Sequence, residues 1–158
     1  MCRLFGLIAN KSVDVKFSML EADKPFRNLG STSNPAGWGI GWYENNKAKI
    51  FKEGISAMAS EKFYSFAKDV RFNIIIVHVR KSTEAPPEVN SHPFKYKNWI
   101  FAHNGSVNRD YLLSLLKDNY RKELKWETDS EVYFYWIMQC IEETKDVIEG
   151  IKKSLIKL

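Results

Sequence analysis

The pattern of apolar and polar residues in the first half of the chain predicts several β-strands. Residues 3–9 form a short apolar run close to the start of the chain and are predicted as a strand. Residues 37–43 and 47–52 are predicted as two further strands, and Glu44-Asn45-Asn46 between them indicates a hairpin turn. Residues 73–79 are nearly continuous in apolar, β-branched side chains, which is typical of a strand buried on both faces.

Apolar residues at helical spacing and capping residues predict five helices, one of them weak. Residues 60–70 carry Phe63, Phe66 and Ala67 on one face. Asn108 is predicted to cap a helix that extends to about residue 117, and Thr128-Asp-Ser-Glu has the pattern of a capping box in front of another. The remaining assignments are a weak helix at 16–26, loops at 27–36 and 81–98, a strand at 99–103 and a last helix at 146–158 with an apolar face of Val147, Ile148, Ile151 and Leu155. After Thr128, apolar residues also repeat at helical spacing, at Val132, Tyr133, Trp136, Ile137, Cys140 and Ile141.

The order of these elements favours one fold class. Strands come first and two helices come last, so we predict an α+β fold with an antiparallel or mixed sheet instead of a doubly wound βαβ fold. The 158 residues correspond to one domain, which we predict to span residues 1–158. We find no internal repeat, linker or low-complexity segment.

Composition excludes several classes of protein. With 44% hydrophobic and 27% charged residues, the chain is neither intrinsically disordered nor collagen-like. The net charge of +5 is spread along the chain without a recognised binding module, so no nucleic-acid partner is predicted. The apolar runs are far shorter than the roughly 20 residues of a membrane span. Without a recognisable targeting segment, we expect a cytoplasmic protein in which Cys2 and Cys140 stay reduced.

Cys2 is the first residue with candidate chemistry. Cysteine is small enough for the initiator Met1 to be removed enzymatically, which would leave a thiol and a free α-amine on one residue. The α-amine has a pKa of about 7.7–8.0 and can take the thiol proton near neutral pH. The alternative is that Cys2 is only a small apolar residue of the first strand.

Four further candidate residues follow predicted strands or open a helix. Arg80 follows the buried strand, where its guanidinium could hold a carboxylate through two hydrogen bonds or form a structural ion pair. Asn104 and Gly105 follow the strand at 99–103, where they could provide two oxyanion donors or only a tight turn. Asp129 opens a helix and could cap it, bind a ligand, or do both.

In their order along the chain, these segments resemble one family. The segments are MCRLFGLIAN, NPAGWGIGWY, HVRKST, NSHPF, FAHNGSV and ETDSEV. Together they resemble the class II glutamine amidotransferases, which are N-terminal-nucleophile (Ntn) hydrolases, and most closely the stand-alone, YafJ-like branch. The resemblance covers Cys2 to about Gln139. It implies an αββα sandwich of antiparallel sheets, truncated or minimal at the C-terminus of this chain.

The resemblance also implies a role for each candidate. Cys2 would attack the side-chain amide of glutamine, with its α-amine as general base and then general acid. Asn104 and Gly105 would stabilise the oxyanion. The substrate-binding residues would be Arg80 for the α-carboxylate and Asp129 for the α-ammonium group, together with Thr83, Trp38 and His103. His103 beside Asn104 has a structural role at a strand end as its alternative.

The predicted activity needs no cofactor, and the histidines lack metal-ligand spacing, so no metal site is predicted. We expect glutamine as substrate, with γ-glutamyl peptides or amides as the alternative, and a separate synthase subunit that uses the ammonia. A truncated sandwich would expose an apolar sheet face, so a homo-oligomer is also expected. The rival hypothesis is a catalytically inactive binding or assembly subunit.

Overall fold

The computed structural model describes residues 2–30, 37–80, 90–125 and 128–157. The chain divides into two compact units, Met1–Asn104 and Gly105–Leu158. We call the first the sheet unit and the second the helical unit, and describe each by itself. Predicted features that fall in the gaps between these ranges, including Thr83, lie outside the described residues.

The sheet unit is built on a four-stranded sheet with strand order β1-β4-β2-β3. All three pairings are antiparallel, which confirms the predicted α+β class with an antiparallel sheet. The strands are β1 (Arg3–Asp14), β2 (Trp38–Glu44), β3 (Lys47–Glu53) and β4 (Arg71–Val79). Between β1 and β2 lie a π-helical turn (Phe17–Glu21) and a 3-10 helix (Phe26–Gly30), where the sequence predicted one weak helix followed by a loop.

The predicted β2–β3 hairpin is confirmed. Asn45 and Asn46 have φ angles of 49° and 60°, as a two-residue type I′ turn requires. Asparagine tolerates this left-handed conformation better than most residues. The prediction for β4 is correct in position and partly wrong in burial. Its end at Val77–Val79 is buried, but Arg71 and Asn73 near its start are exposed.

One face of the sheet carries the core of this unit. Trp38 is 1% exposed, and its ring lies 4.9 Å from that of Phe63 and 5.6 Å from that of Phe51. Phe63 belongs to α1 (Glu61–Asp69), which begins after Ser60, whose Oγ accepts the Phe63 N–H at 2.9 Å. The helix therefore presents its predicted apolar face to the sheet.

The other face of β2 is lined by glycine. Gly37, Gly39 and Gly41 alternate with Trp38, Ile40 and Trp42, so they share one side of the strand. A Cβ on Gly39 would lie 2.1 Å from the His92 carbonyl oxygen, and one on Gly37 would lie 2.6 Å from Ser91 Oγ. Gly37 also has a φ of +104°. We call this side the glycine face, because the Ser91–Pro93 segment can lie against it only where side chains are missing.

Adding a methyl group to the glycine face gives the first prediction. We expect Gly39→Ala to lower the free energy of unfolding by about 1–3 kcal/mol or more, because the new Cβ would overlap the His92 carbonyl. Gly6→Ala in β1 is the matched control, since a Cβ there meets nothing within 4 Å. Denaturant titration of both variants measures the difference, and equal stability would contradict the close packing described here.

A second hairpin lies within a predicted loop. β5 (Phe94–Tyr96) pairs with β6 (Trp99–Phe101), so the predicted loop at 81–98 is wrong at its end and the predicted strand at 99–103 is too long. Asn98 explains the position of this hairpin, because its Oδ1 accepts the Ala48 N–H at 2.7 Å and its Nδ2 donates to Asn46 O at 2.9 Å. Periodicity did not reveal a strand of three residues beside a proline.

The helical unit contains α2 (Arg109–Leu115), α3 (Asp118–Arg121), α4 (Asp129–Thr144) and α5 (Val147–Leu155). The predicted caps are confirmed, since Asn108 Oδ1 accepts the Tyr111 N–H and Thr128 Oγ1 accepts the Glu131 N–H. The short α3 was not predicted. Gln139 of α4 stabilises the break between α2 and α3, because its side chain bonds both Leu115 O and Lys117 N.

The burial of α4 and that of α5 differ from the predicted patterns. Residues 130–140 of α4 are all buried, so the helix is covered on every side instead of along one stripe. In α5 the buried residues are the small Gly150 and Ser154, and a Cβ on Gly150 would lie 2.5 Å from Ile141 Cα. The predicted apolar face of α5 is exposed at Val147, Ile148, Ile151 and Leu155. None of the helices described here is long and apolar enough to cross a membrane.

Candidate active site

Three strand ends meet at one end of the sheet and bring the first candidates together. Arg3 of β1 and Trp38 of β2 both pair with Val79 of β4. Cys2, Gly37 and Arg80 are the residues next to these three positions in the chain. We call this the Cys2 end of the sheet. The Arg80 N–H donates to Gly37 O at 2.9 Å, which fixes the backbone where β4 leaves the sheet.

Asn104 contacts Cys2 directly. The Asn104 side-chain Nδ2 donates to the Cys2 carbonyl oxygen at 3.1 Å, across 102 positions of the chain. β6 ends at Phe101, so residues 102–104 do not continue its pairing with β5, and Asn104 can reach Cys2. Cys2 is partly buried, and its thiol is free of any disulfide. An amide donor therefore lies beside the predicted nucleophile.

Cys140, the second cysteine, differs in environment. It is free, fully buried in α4, and its pKa is raised to about 11, first because burial disfavours the thiolate. A thiol that stays protonated at neutral pH is a poor nucleophile. Cys140 is therefore a core residue.

Arg80 is anchored by the backbone of Asn90, ten positions further along the chain. Its Nη1 donates to the Asn90 carbonyl oxygen at 2.5 Å. A carbonyl carries no net charge, so this bond orients the guanidinium without neutralising it. Arg80 can therefore still pair with a carboxylate.

Two histidines are packed against each other beside Arg80. His78 of β4 is fully buried, His92 is 8% exposed, and their ring centroids are 4.4 Å apart. Burial, followed by the charges of Arg80 and His103, lowers the pKa of His78 to about 4. Burial, followed by His78, Arg80, His103 and Lys52, lowers the pKa of His92 to about 2. Both rings are therefore neutral at physiological pH.

This pair predicts a loss of stability in acid. Both folded-state pKa values lie below the 6.5 of an unperturbed histidine, so the unfolded chain binds more protons as the pH falls through 6.5. The free energy of unfolding should fall by up to about 1.4 kcal/mol per pH unit for each histidine. For His78 the loss runs from pH 6.5 to about 4, and for His92 to about 2.

The measurement is denaturant unfolding between pH 7.5 and about 4 of the natural chain and of His92→Phe. The variant should show a shallower decline, because only His78 of the pair still titrates. Parallel curves for the two proteins would contradict a neutral, buried His92.

In the helical unit, Asp129 holds the chain that follows Gly105. Its Oδ2 accepts the Val107 N–H at 3.2 Å, and its Oδ1 accepts the Ser130 N–H at 2.8 Å. Asp129 also lies in the first turn of α4, where a carboxylate is favoured by the helix dipole. Its role in the fold is therefore to fix residues 105–107 on the start of α4.

Comparison with known proteins decides the family. The profile of the family described as glutamine amidotransferases class-II matches residues 1–157. The chain belongs to the class II glutamine amidotransferases. The predicted membership, and with it the expected type of fold, is confirmed.

Individual relatives give the same assignment. YafJ of Escherichia coli (strain K12), a protein named as a glutamine amidotransferase, is 30% identical over 164 residues, which cover 99% of this chain and 62% of YafJ. The gamma-glutamyl-hercynylcysteine sulfoxide hydrolase of Mycobacterium tuberculosis is 31% identical over 90 residues, 56% of this chain and 39% of that protein. The chain thus spans less than two thirds of the length of either relative.

A solved structure shares the fold. The glutamine aminotransferase class-II domain protein from Silicibacter pomeroyi superposes with a TM-score of 0.62 at 24% identity, over 77% of this chain and 55% of that chain.

The remaining predicted site residues differ in placement. The Trp38 ring lies in the core and its Nε1 donates to Glu53 Oε2 at 3.2 Å, so its predicted part in substrate binding stays a prediction. His103 is partly buried and stacks on Phe101 at 6.2 Å. Thr83 lies outside the described residues.

Asn90 is the main contact that sequence reasoning missed. It acts through its backbone carbonyl, which every residue type carries, so its side chain gave no signal. The alternating glycines of β2 were the available clue, because they indicate that another segment lies flat on the strand.

A cleft of the sheet unit lies away from these residues. It has a volume of about 440 Å³, opens at the opposite end of the sheet, and is lined by Trp42, Phe66, Phe72 and charged neighbours. None of its described lining residues is a predicted site residue. We therefore assign the candidate site to the Cys2 end of the sheet from the chemistry of its residues, and not from the position of this cleft.

Proposed function

We propose that this chain hydrolyses the side-chain amide of glutamine to glutamate and ammonia through a thioester on Cys2. The observation that carries the proposal is the hydrogen bond from Asn104 Nδ2 to Cys2 O, 3.1 Å long, at the sheet end that also carries Arg80. A nucleophile with an adjacent amide donor and a nearby guanidinium suits acyl transfer from a carboxylate-bearing substrate.

The proposed reaction starts after removal of Met1. The α-amine of Cys2 takes the thiol proton, and the sulfur attacks the amide carbon of the substrate. Asn104 Nδ2 and the Gly105 N–H stabilise the negative oxygen of the tetrahedral intermediate. The ammonium group returns its proton to the leaving nitrogen, ammonia departs, and a thioester remains. Water then adds to the thioester with the amine as base, releasing glutamate and the thiol.

Substrate recognition is proposed to depend on the two charged ends of glutamine. Arg80 pairs with the α-carboxylate and Asp129 with the α-ammonium group, and Thr83 and His103 complete the contacts. Trp38, whose ring lies in the core, supports the wall of the site. Charges at both substrate ends require partners, because burying either one unpaired is unfavourable.

The test is ammonia and glutamate release from glutamine by protein whose Met1 has been removed. Equal amounts of both products support the proposal. Glutamine binding without ammonia release from this processed protein would contradict it and favour the inactive binding or assembly subunit.

A γ-glutamyl hydrolase is the second candidate, and the similarity to the mycobacterial gamma-glutamyl-hercynylcysteine sulfoxide hydrolase favours it. Both reactions break an amide bond at the γ-carbonyl, and the same charged residues would hold the glutamyl end. A panel of glutamine, γ-glutamylcysteine and γ-glutamylalanine separates them. Preference for glutamine by about tenfold or more is expected for the first proposal, whereas activity on the peptides alone would overturn it.

In the amidotransferase proposal, the partner is a separate subunit that uses the ammonia. Self-association also stays a prediction. Light scattering tests it, and a monomer at all concentrations would count against it.

A further inference from the structure

Arg80 is held by a segment that begins ten positions further along the chain. The Asn90 carbonyl accepts the Arg80 Nη1 bond at 2.5 Å, so the position of the guanidinium depends on the position of Asn90.

The Asn90–Phe94 segment is fixed by packing on the glycine face. The His92 carbonyl lies where a Gly39 Cβ would be, and Pro93 Cγ would lie 3.0 Å from a Cβ on Gly41. Gly39 pairs with His78 in the sheet, so His78 points to the same face and meets the segment there. The segment therefore packs on the face of the sheet that β2 and β4 share.

His92 is the side chain that fills this space. Its ring lies 4.4 Å from the His78 ring and 4.8 Å from the Phe94 ring, while Phe94 in turn lies under the Lys52 ammonium. All four ring nitrogens of His78 and His92 are buried and have no hydrogen-bond partner within the described residues. The contact therefore depends on shape and on neutral rings, since a charged ring would face Arg80, Lys52 and His103.

We propose that His92, packed against His78, is a positioning residue that fixes the Arg80 guanidinium by holding the Asn90 carbonyl in place. The inference rests on the proposed function for its kinetic consequences, since Arg80 is the residue proposed to bind the α-carboxylate. His92 touches neither substrate nor nucleophile in this account.

The proposal predicts different effects on substrate binding and on the chemical step. A displaced Arg80 weakens a contact present in both the bound substrate and the transition state, so KM should rise while kcat changes little. The effect should also require the α-carboxylate. L-glutaminamide carries a neutral carboxamide in place of that carboxylate. Its kcat/KM should therefore be insensitive to the displacement of Arg80.

The experiment compares His92→Ala, which empties the space, with His92→Phe, which fills it. The substrates are glutamine and L-glutaminamide with ¹⁵N-labelled side-chain amides. We expect His92→Ala to lower kcat/KM for glutamine by about tenfold or more through KM, the scale of losing a charge-assisted contact. L-glutaminamide should change by less than about threefold, and His92→Phe should keep both values near those of the natural chain. Equal losses on both substrates in His92→Ala would overturn the proposal.

A second readout works without catalysis. In ¹⁵N-arginine-labelled protein, the Arg80 Nη signals, assigned by Arg80→Lys, should show hindered rotation in the natural chain and in His92→Phe. In His92→Ala the Arg80 Nη signals should be averaged by faster rotation of the guanidinium. Identical spectra in all three proteins would overturn the positioning role, even if no ammonia is released from any substrate. Absence of ammonia with the expected spectral change would overturn only the proposed function. Circular dichroism checks folding, and His92→Leu replaces His92→Ala if the latter does not fold.

Discussion

Cys2→Ala is expected to reduce ammonia release from glutamine by at least about 10³-fold, because no other side chain can form the thioester. The fold should be retained. Cys2 is only partly buried, and the Asn104 bond goes to its backbone oxygen, which alanine also carries. A coupled assay of ammonia and glutamate at saturating glutamine measures the loss.

Cys140→Ala is the matched control for this prediction. Cys140 is the only other cysteine of the chain, and its raised pKa of about 11 makes it unreactive at neutral pH. We expect Cys140→Ala to keep kcat/KM near that of the natural chain while lowering stability, since it removes a buried sulfur from α4. Loss of activity in Cys140→Ala with retention in Cys2→Ala would reverse the assignment of the nucleophile.

Asn104→Ala is expected to lower kcat by about 10²–10³-fold, with a much smaller change in KM. Its Nδ2 lies 3.1 Å from Cys2 O, and in the proposed reaction the same N–H group stabilises the oxygen of the tetrahedral intermediate. A donor that acts mainly on the developing charge lowers the barrier more than it strengthens ground-state binding. Steady-state kinetics with glutamine separate the two effects.

Two further variants sharpen this test. Asn104→Asp keeps the size of the side chain but places a carboxylate near the oxyanion, so kcat should fall at least as far. Asn119→Ala makes the same chemical change at an exposed position of α3 and should leave the kinetics unchanged. A rise in KM at constant kcat for Asn104→Ala would assign Asn104 to substrate binding instead.

Much of the local structure could be predicted because its causes lie close together in the chain. The Asn45-Asn46 turn requires two residues that tolerate positive φ, and both are adjacent. The helix starts at Asn108 and Thr128 are caps whose partners lie three residues on. Such signals can be recognised in the sequence without knowledge of the fold.

Other features depend on neighbours that only the tertiary structure brings together. α5 buries Gly150 and Ser154 against α4, because small residues allow the backbones to approach closely, and this leaves the apolar stripe exposed. Periodicity predicts that stripe as the buried face, which is wrong here. β5 was missed for a similar reason, since the contacts of Asn98 with β3 and the first hairpin turn position it.

The candidate site also has features that could be predicted from the sequence and features that could not. Cys2 and Asn104 were predicted from their chemistry and the family resemblance, and the structure joins them by a hydrogen bond. The anchoring of Arg80 by Asn90, and the packing of His92 on His78, were not predicted. Both arise from a segment that packs on the glycine face, where backbone atoms make the decisive contacts.

The proposed function requires that Cys2 is an activated nucleophile in a glutamine-binding site. The most direct test is the intact mass of the protein before and after incubation with a diazo-ketone analogue of glutamine, with peptide mapping of any adduct. We predict a mass lacking Met1 and one adduct, located on Cys2. Processed protein that gains no adduct, or that carries its adduct on Cys140, would contradict the account.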